Sequence, residues 1–170
     1  ILLKRLWDYY SKSNPQAFDI HQLLQASGET MVNDHIAFRT INHPNFGTEA
    51  LGSIFEALGY RAMQTYQFPQ KNLSAVHYEH DDALAPKIFI SQIQIKSFSP
   101  FLQNTLNTCF SQIDRREGLK PSILVSGRHW NTLSYANYCQ LAEESEYAAW
   151  LYCFGLCPNH FTISVNHLKQ

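Results

Sequence analysis

The spacing of apolar residues changes period along the chain. Leu2, Leu3, Leu6 and Tyr10 recur at helical intervals and predict a helix over 2–12. Asn14-Pro15 ends it, because a residue before proline is pushed out of the helical region. A second helix is expected near 17–26, with Phe18, Ile20, Leu23 and Leu24 apolar and Gly28 closing it. From Asp34 to Ile41 the period falls to two. Ile36 and Phe38 take one side and His35 and Arg39 the other, as on a strand. His43-Pro44-Asn45-Phe46-Gly47 is a turn cluster, after which Thr48 is expected to cap a helix with the face Leu51, Ile54, Phe55 and Leu58, stopped by Gly59. Strands are expected at 61–68, 73–80 and 87–95, so 34–95 reads strand, helix, strand, strand, strand.

Ser99-Pro100 pairs a capping hydroxyl with proline at the first helical position, and Phe101, Leu102, Leu106, Cys109, Phe110 and Ile113 supply an apolar face. Arg115 and Arg116 suit the negative end of that helix dipole, and Gly118 follows. A short strand is expected at 121–126 and a long helix at 135–154, ended by Gly155. Pro158-Asn159 leads into a second alternating run, 160–168. Like the run at 34–41, it opens on an Asx-His pair.

Composition narrows the partners. Hydrophobic residues at 45 % against 16 % charged describe a globular chain, and 170 residues suffice for one domain with a core. A net charge of -1 with no basic stripe argues against nucleic acid. No apolar run approaches the roughly 20 residues a membrane span needs, and the charged start lacks the form of a signal peptide. Cys109, Cys139, Cys153 and Cys157 have neither redox nor zinc-knuckle spacing, so they read as reduced thiols and the location as cytoplasmic.

Two polar strand faces could carry chemistry. His35, Ala37 and Arg39 point the same way, with His35 and Arg39 about 13 Å apart, too far to share a metal but able to hold a small acid between them. Arginine suits a carboxylate through its planar fork. A half-exposed strand that happens to carry His and Arg fits the spacing too. His160, Thr162, Ser164 and Asn166 share one face, as a metal-lined cavity or a solvent-facing strand requires. His167 falls on the apolar face with Phe161, Ile163 and Val165, which ranks it below His160. His77 and Glu79 form a rival ligand pair, explained equally by a polar strand end. Arg128, after Ser126-Gly127, could bind a distal carboxylate or stack on Trp130.

Val32-Asn33-Asp34-His35-Ile36-Ala37-Phe38-Arg39-Thr40 and Pro158-Asn159-His160-Phe161-Thr162-Ile163-Ser164-Val165-Asn166 resemble the 2-oxoadipate dioxygenase/decarboxylase family, also called hydroxyglutarate synthases. Ser126-Gly127-Arg128, Leu133-Ser134-Tyr135 and Glu143-Glu144-Ser145-Glu146-Tyr147-Ala148-Ala149-Trp150 look like its shorter bacterial branch. The resemblance implies an α+β fold like the vicinal oxygen chelate enzymes, with a mixed, curved sheet built from βαβββ modules. Residues 34–95 would be the first module, after a helical segment 1–30. A helical insertion at 99–155 would follow, and 159–170 would start a second module. It also implies Fe(II) held by two His and one Glu, with His35 and His160 as the histidines, Arg39 on a substrate carboxylate, and a 2-oxo acid and O2 as substrates. The Glu is expected beyond Gln170, so the chain is expected to belong to a longer protein with roughly 60–100 further residues. A zinc- or nickel-dependent isomerase or hydrolase on the same fold, or a non-catalytic binding module, would use the same residues differently.

Overall fold

A computed structural model describes residues 1–114, 119–131 and 134–169. Its elements are α1 (Leu2–Ser13), α2 (Pro15–Ala26), β1 (Asn33–Ile41), α3 (Thr48–Glu56), β2 (Arg61–Phe68), β3 (Leu73–Glu79), β4 (Lys87–Ile93), α4 (Pro100–Ser111), α5 (Tyr135–Glu144), α6 (Glu146–Phe154) and β5 (Pro158–Ile163). The α+β expectation holds. The strands form a mixed sheet in the order β2-β3-β4-β1-β5, with β1 parallel to β4 and antiparallel to β5. The parallel pair is reached through α3, which packs on one face of the sheet.

Alternation along β1 sorts its side chains. Ile36 and Phe38 are fully buried, as are Ile88 and Ile90 in register on β4. Each such side chain stabilises the fold by about 1.5–3 kcal/mol relative to exposure. Leu51, Ile54 and Phe55 of α3 belong to the same core. Tyr78 of β3 reaches α3 by donating its hydroxyl to the Thr48 carbonyl at 2.9 Å. A Cβ at Gly52 would lie 2.1 Å from that hydroxyl oxygen, so glycine is what lets helix and strand approach. The other face of β1 carries His35, Ala37 and Arg39, in register with Lys87, Phe89 and Ser91.

Several expectations need correction. Thr48 is not the cap of α3. Gly47 holds that position, and the first turn's free Thr48 N–H is satisfied by Gln92 Oε1 at 3.0 Å. Residues 121–125 form a 3-10 turn rather than a strand, started by Pro121, which has no N–H to give a ladder. The long helix at 135–154 is two helices. Ser145 is extended (φ -159°) and its hydroxyl accepts Ala148 N–H, so a residue that reads as helical interior caps α6 instead. The alternating run at 160–168 stays a strand only to Ile163, and Val165–His167 is a 3-10 turn. Ser164 and Asn166 therefore do not extend the polar face of His160. Phe18, Ile20 and Leu23 of α2 are exposed, and Leu58 lies outside the core. Arg115, Arg116, Gly118 and Leu133 lie outside the described residues.

Candidate metal centre and anion site

β5 lies beside β1 with His160 opposite Ala37, two strand positions from His35. The pairing has two irregularities. Between Asn33 and Ile36, β1 spends three steps against two on β5. Between Ala37 and Phe38, β5 spends two steps against one. The surplus residues fall at Asp34-His35 and at Asn159-His160. On a regular strand neighbouring side chains point to opposite faces, but a bulge turns them toward one another. His35 Nδ1 accordingly lies 2.8 Å from Asp34 Oδ2, and His160 Nδ1 lies 3.0 Å from Asn159 Oδ1.

These contacts determine where the imidazole protons sit. A carboxylate only accepts, as does an amide oxygen, so both Nδ1 atoms carry hydrogen. Thr162 Oγ1 also reaches His35: it donates to the His35 carbonyl (3.3 Å), accepts the His35 N–H (3.1 Å), and lies 2.9 Å from Nδ1. Each Nε2 is then a bare lone pair, and the two Nε2 atoms lie 3.2 Å apart with the rings at 77°. Two lone pairs that close repel unless a cation lies between them. Burial, and after it the nearby His35 and Arg39, depress the His160 pKa below its ordinary 6.5, which disfavours a second proton on that ring. A divalent ion fits. Nitrogens about 2.1 Å from one ion, subtending roughly 90–110° at it, stand ~3.0–3.4 Å apart. Two imidazoles suit iron, zinc or nickel. Among the described residues no group of three His, Cys, Asp or Glu side chains converges on one point.

Arg39 lies farther along the same face. Its guanidinium carbon sits 4.9 Å from the Tyr147 ring centroid and 5.1 Å from that of Trp150, both on α6. The two rings, three residues apart, share one helix face. Burial lowers the Arg39 pKa, opposed by Tyr147 and Glu146, yet an arginine remains charged at neutral pH. The Tyr147 hydroxyl fixes this arrangement. It donates to the Ser91 carbonyl (2.7 Å) and accepts Thr40 N–H (3.1 Å), which ties α6 to β1 and β4 beside Arg39. A cavity of about 420 Å³ opens there, lined by Arg39, Lys71, Asn72, Glu146 and Tyr147 among others. Held by aromatic faces rather than by a carboxylate, the guanidinium fork is available to an anion.

The other predicted residues fall elsewhere. Arg128 Nε donates to the Trp130 carbonyl at 3.2 Å and its NH1 to the Cys153 carbonyl at 3.4 Å, so it meets Trp130 through the backbone and braces the end of α6. A Cβ at Gly155 would lie 2.9 Å from Arg128 Cα, and that tight approach explains the glycine with φ +74° there. His77 and Glu79 do touch, at 3.3 Å, but Glu79 also pairs with Lys87 at 2.8 Å and Tyr66 Oη lies 3.0 Å from His77 Nδ1. His167 sits in the turn beyond β5, with Nδ1 3.0 Å from Ser164 Oγ. The four cysteines are free thiols. Sequence reasoning quoted Tyr147 and Trp150 within a family motif and put Thr162 on the face of His160, but gave none of the three a role. An aromatic pair at i, i+3 was the available signal for the first two.

The βαβββ order with its mixed sheet is the vicinal-oxygen-chelate fold. A glyoxalase-superfamily protein of Ralstonia eutropha shares this fold, with a TM-score of 0.77 at 24 % identity over 95 % of this chain and 60 % of its own. Residues 2–126 match the family model of 2-oxoadipate dioxygenase/decarboxylase, and the chain belongs to that enzyme family. The chloroplastic 2-oxoadipate dioxygenase/decarboxylase of Arabidopsis thaliana is 29 % identical over 99 % of this chain and 49 % of its own length. The hydroxyglutarate synthase of Oryza sativa, solved in complex with 2-oxoadipate, superposes with a TM-score of 0.91 at 28 % identity, covering 99 % of this chain and 58 % of that one. A Shewanella frigidimarina protein described as a hydrolase superposes at 0.93 with 41 % identity, covering 99 % of this chain and 66 % of its own. The chain spans about half the length of the curated relatives it matches.

Proposed function

We propose that this protein oxidatively decarboxylates and hydroxylates a 2-oxo acid with Fe(II) and O2, of the type that turns 2-oxoadipate and O2 into 2-hydroxyglutarate and CO2. One observation carries the reading: two imidazole Nε2 atoms converge at 3.2 Å on the sheet face that also presents Arg39. Family membership supports it, as does the 2-oxoadipate in the rice relative. His35 and His160 would hold the iron, with the family's glutamate completing the set. When bound, Fe(II) supplies the activation of O2 and the oxidative loss of CO2.

The chain's own residues orient the substrate. Arg39 would take the carboxylate remote from the 2-oxo group. About 13 Å of strand separates its Cα from that of His35, so one small dicarboxylate would meet Arg39 with one end and the histidine pair with the other. A carboxylate arriving at Arg39 gains charge-assisted bonds to a fork already desolvated and aligned by Tyr147 and Trp150.

An oxygen electrode tests this with the purified protein loaded anaerobically with Fe(II) and offered a panel of 2-oxo acids. Expected are O2 uptake with a dicarboxylic 2-oxo acid and one CO2 per O2. Substrate turnover without O2 would overturn the reading and favour the hydrolytic one that the Shewanella relative's description suggests.

A further inference from the structure

Each histidine of the pair is preceded by an Asx residue, and each sits on a β-bulge that turns the two neighbouring side chains together. We infer that Asp34, Asn159 and Thr162 are positioning residues for the metal centre. They hold both imidazoles as Nδ1–H tautomers, so that two Nε2 lone pairs face one ion, and Asp34 makes His35 the stronger donor of the two. This rests on the metal reading of His35 and His160 and adds the residues that prepare them.

Geometry carries the assignment at both rings. The contacts to Nδ1 are 2.8 Å from Asp34 Oδ2, 2.9 Å from Thr162 Oγ1 and 3.0 Å from Asn159 Oδ1. The Asp34 carboxylate and the Asn159 amide oxygen can only accept, which places a hydrogen on each Nδ1; the Thr162 hydroxyl donates to the His35 carbonyl and lies beside the same ring nitrogen. Free histidine prefers its proton on Nε2, which would block the ligating atom. The neighbouring acceptors reverse that preference. The two supports differ in charge: Asp34 carries a carboxylate and Asn159 a neutral amide. A carboxylate behind an imidazole raises its basicity toward a metal more than an amide does. Thr162 adds a cross-strand element. It lies two residues after His160 and grips both the backbone and the ring of His35, so one side chain couples the placement of the two ligands.

Two measurements on the purified protein test this. Ring ¹⁵N NMR without metal reads the tautomers directly. Wild type should show protonated Nδ1 and unprotonated Nε2 at both residues, and Asp34→Ala and Asn159→Ala should each restore Nε2–H at the histidine beside it. Anaerobic Fe(II) titration, repeated with Co(II) for its visible spectrum, reads affinity. Asp34→Ala should weaken binding about 10–100-fold, Asp34→Asn and Thr162→Val less, and Asn159→Asp should tighten it. Asp34 is exposed and Thr162→Val nearly preserves shape, so folding survives both. Nε2–H on either wild-type ring, or affinity within twofold of wild type in both alanine variants, overturns the inference while leaving the metal site standing. A wild-type protein that binds neither ion overturns the metal reading, and the inference with it.

Discussion

The same sheet face presents two pairs of side chains of metal-ligating type, and only one is left uncommitted by its neighbours. His35 and His160 meet through their Nε2 atoms at 3.2 Å, with the acceptor oxygens of Asp34 and Asn159 behind them at Nδ1. His77 and Glu79 are nearer in sequence and their contact, 3.3 Å, is almost as short, but each is already committed. Lys87 neutralises Glu79, and Glu79 and Tyr66 occupy the two nitrogens of His77. A ligand pair is defined by what its neighbours leave unsatisfied, more than by residue type or spacing.

The largest effect expected from this contrast is on metal binding. His35→Ala or His160→Ala should weaken Fe(II) binding at least about 100-fold, whereas His77→Ala should leave the titration unchanged. A loss with His77→Ala would reverse the assignment of the two pairs.

Arg39→Lys comes next. Lysine keeps the charge but loses the planar fork and its stacking on two rings, so affinity for a dicarboxylic 2-oxo acid should fall by roughly 10–100-fold with Fe(II) affinity unaltered. Calorimetric titration of each ligand separates the two.

Tyr147→Phe keeps the ring over Arg39 and removes the hydroxyl that joins α6 to β1 and β4. The Ser91 carbonyl and Thr40 N–H lose that partner, which should cost about 1–3 kcal/mol in chemical denaturation. Substrate affinity should fall less than in Arg39→Lys.

The smallest effect is on pH dependence. The hydrogen bond from Lys87 is the chief cause holding the Glu79 pKa below its ordinary 4.5, opposed by desolvation and helped by His77. A carboxyl depressed on folding contributes stability above about pH 4.5 and loses it as the pH falls through the lower folded value. In ¹³C NMR, Lys87→Met should move the Glu79 titration back up toward 4.5. The change in stability should be slight, because the pair is exposed to solvent.

Much of this was legible in the sequence. Period-two alternation marked β1 and put His35 with Arg39, and the strand-helix-strand-strand-strand order emerged from apolar spacing and turn residues. The start of β5 and the preference for His160 over His167 followed from parity. Ser145 was missed because Tyr, Ala, Glu and Leu on both sides are good helix formers, and a capping serine inside such a run looks like any other residue. Residues 121–125 were missed because a short apolar run has no period of its own.

The sequence by itself determined which residues are polar on a strand face, that each histidine follows an Asx, and which elements surround them. Only the tertiary structure decided what those residues do. A bulge is a property of two paired strands, and β1 and β5 meet across 125 residues of chain. Their pairing turns Asp34 and Asn159 toward the neighbouring rings, sets the tautomers, and aims two lone pairs at one point. The seating of Arg39 on Tyr147 and Trp150 likewise depends on where α6 docks. Local periodicity specifies which way a side chain leans; long-range pairing specifies what it meets there.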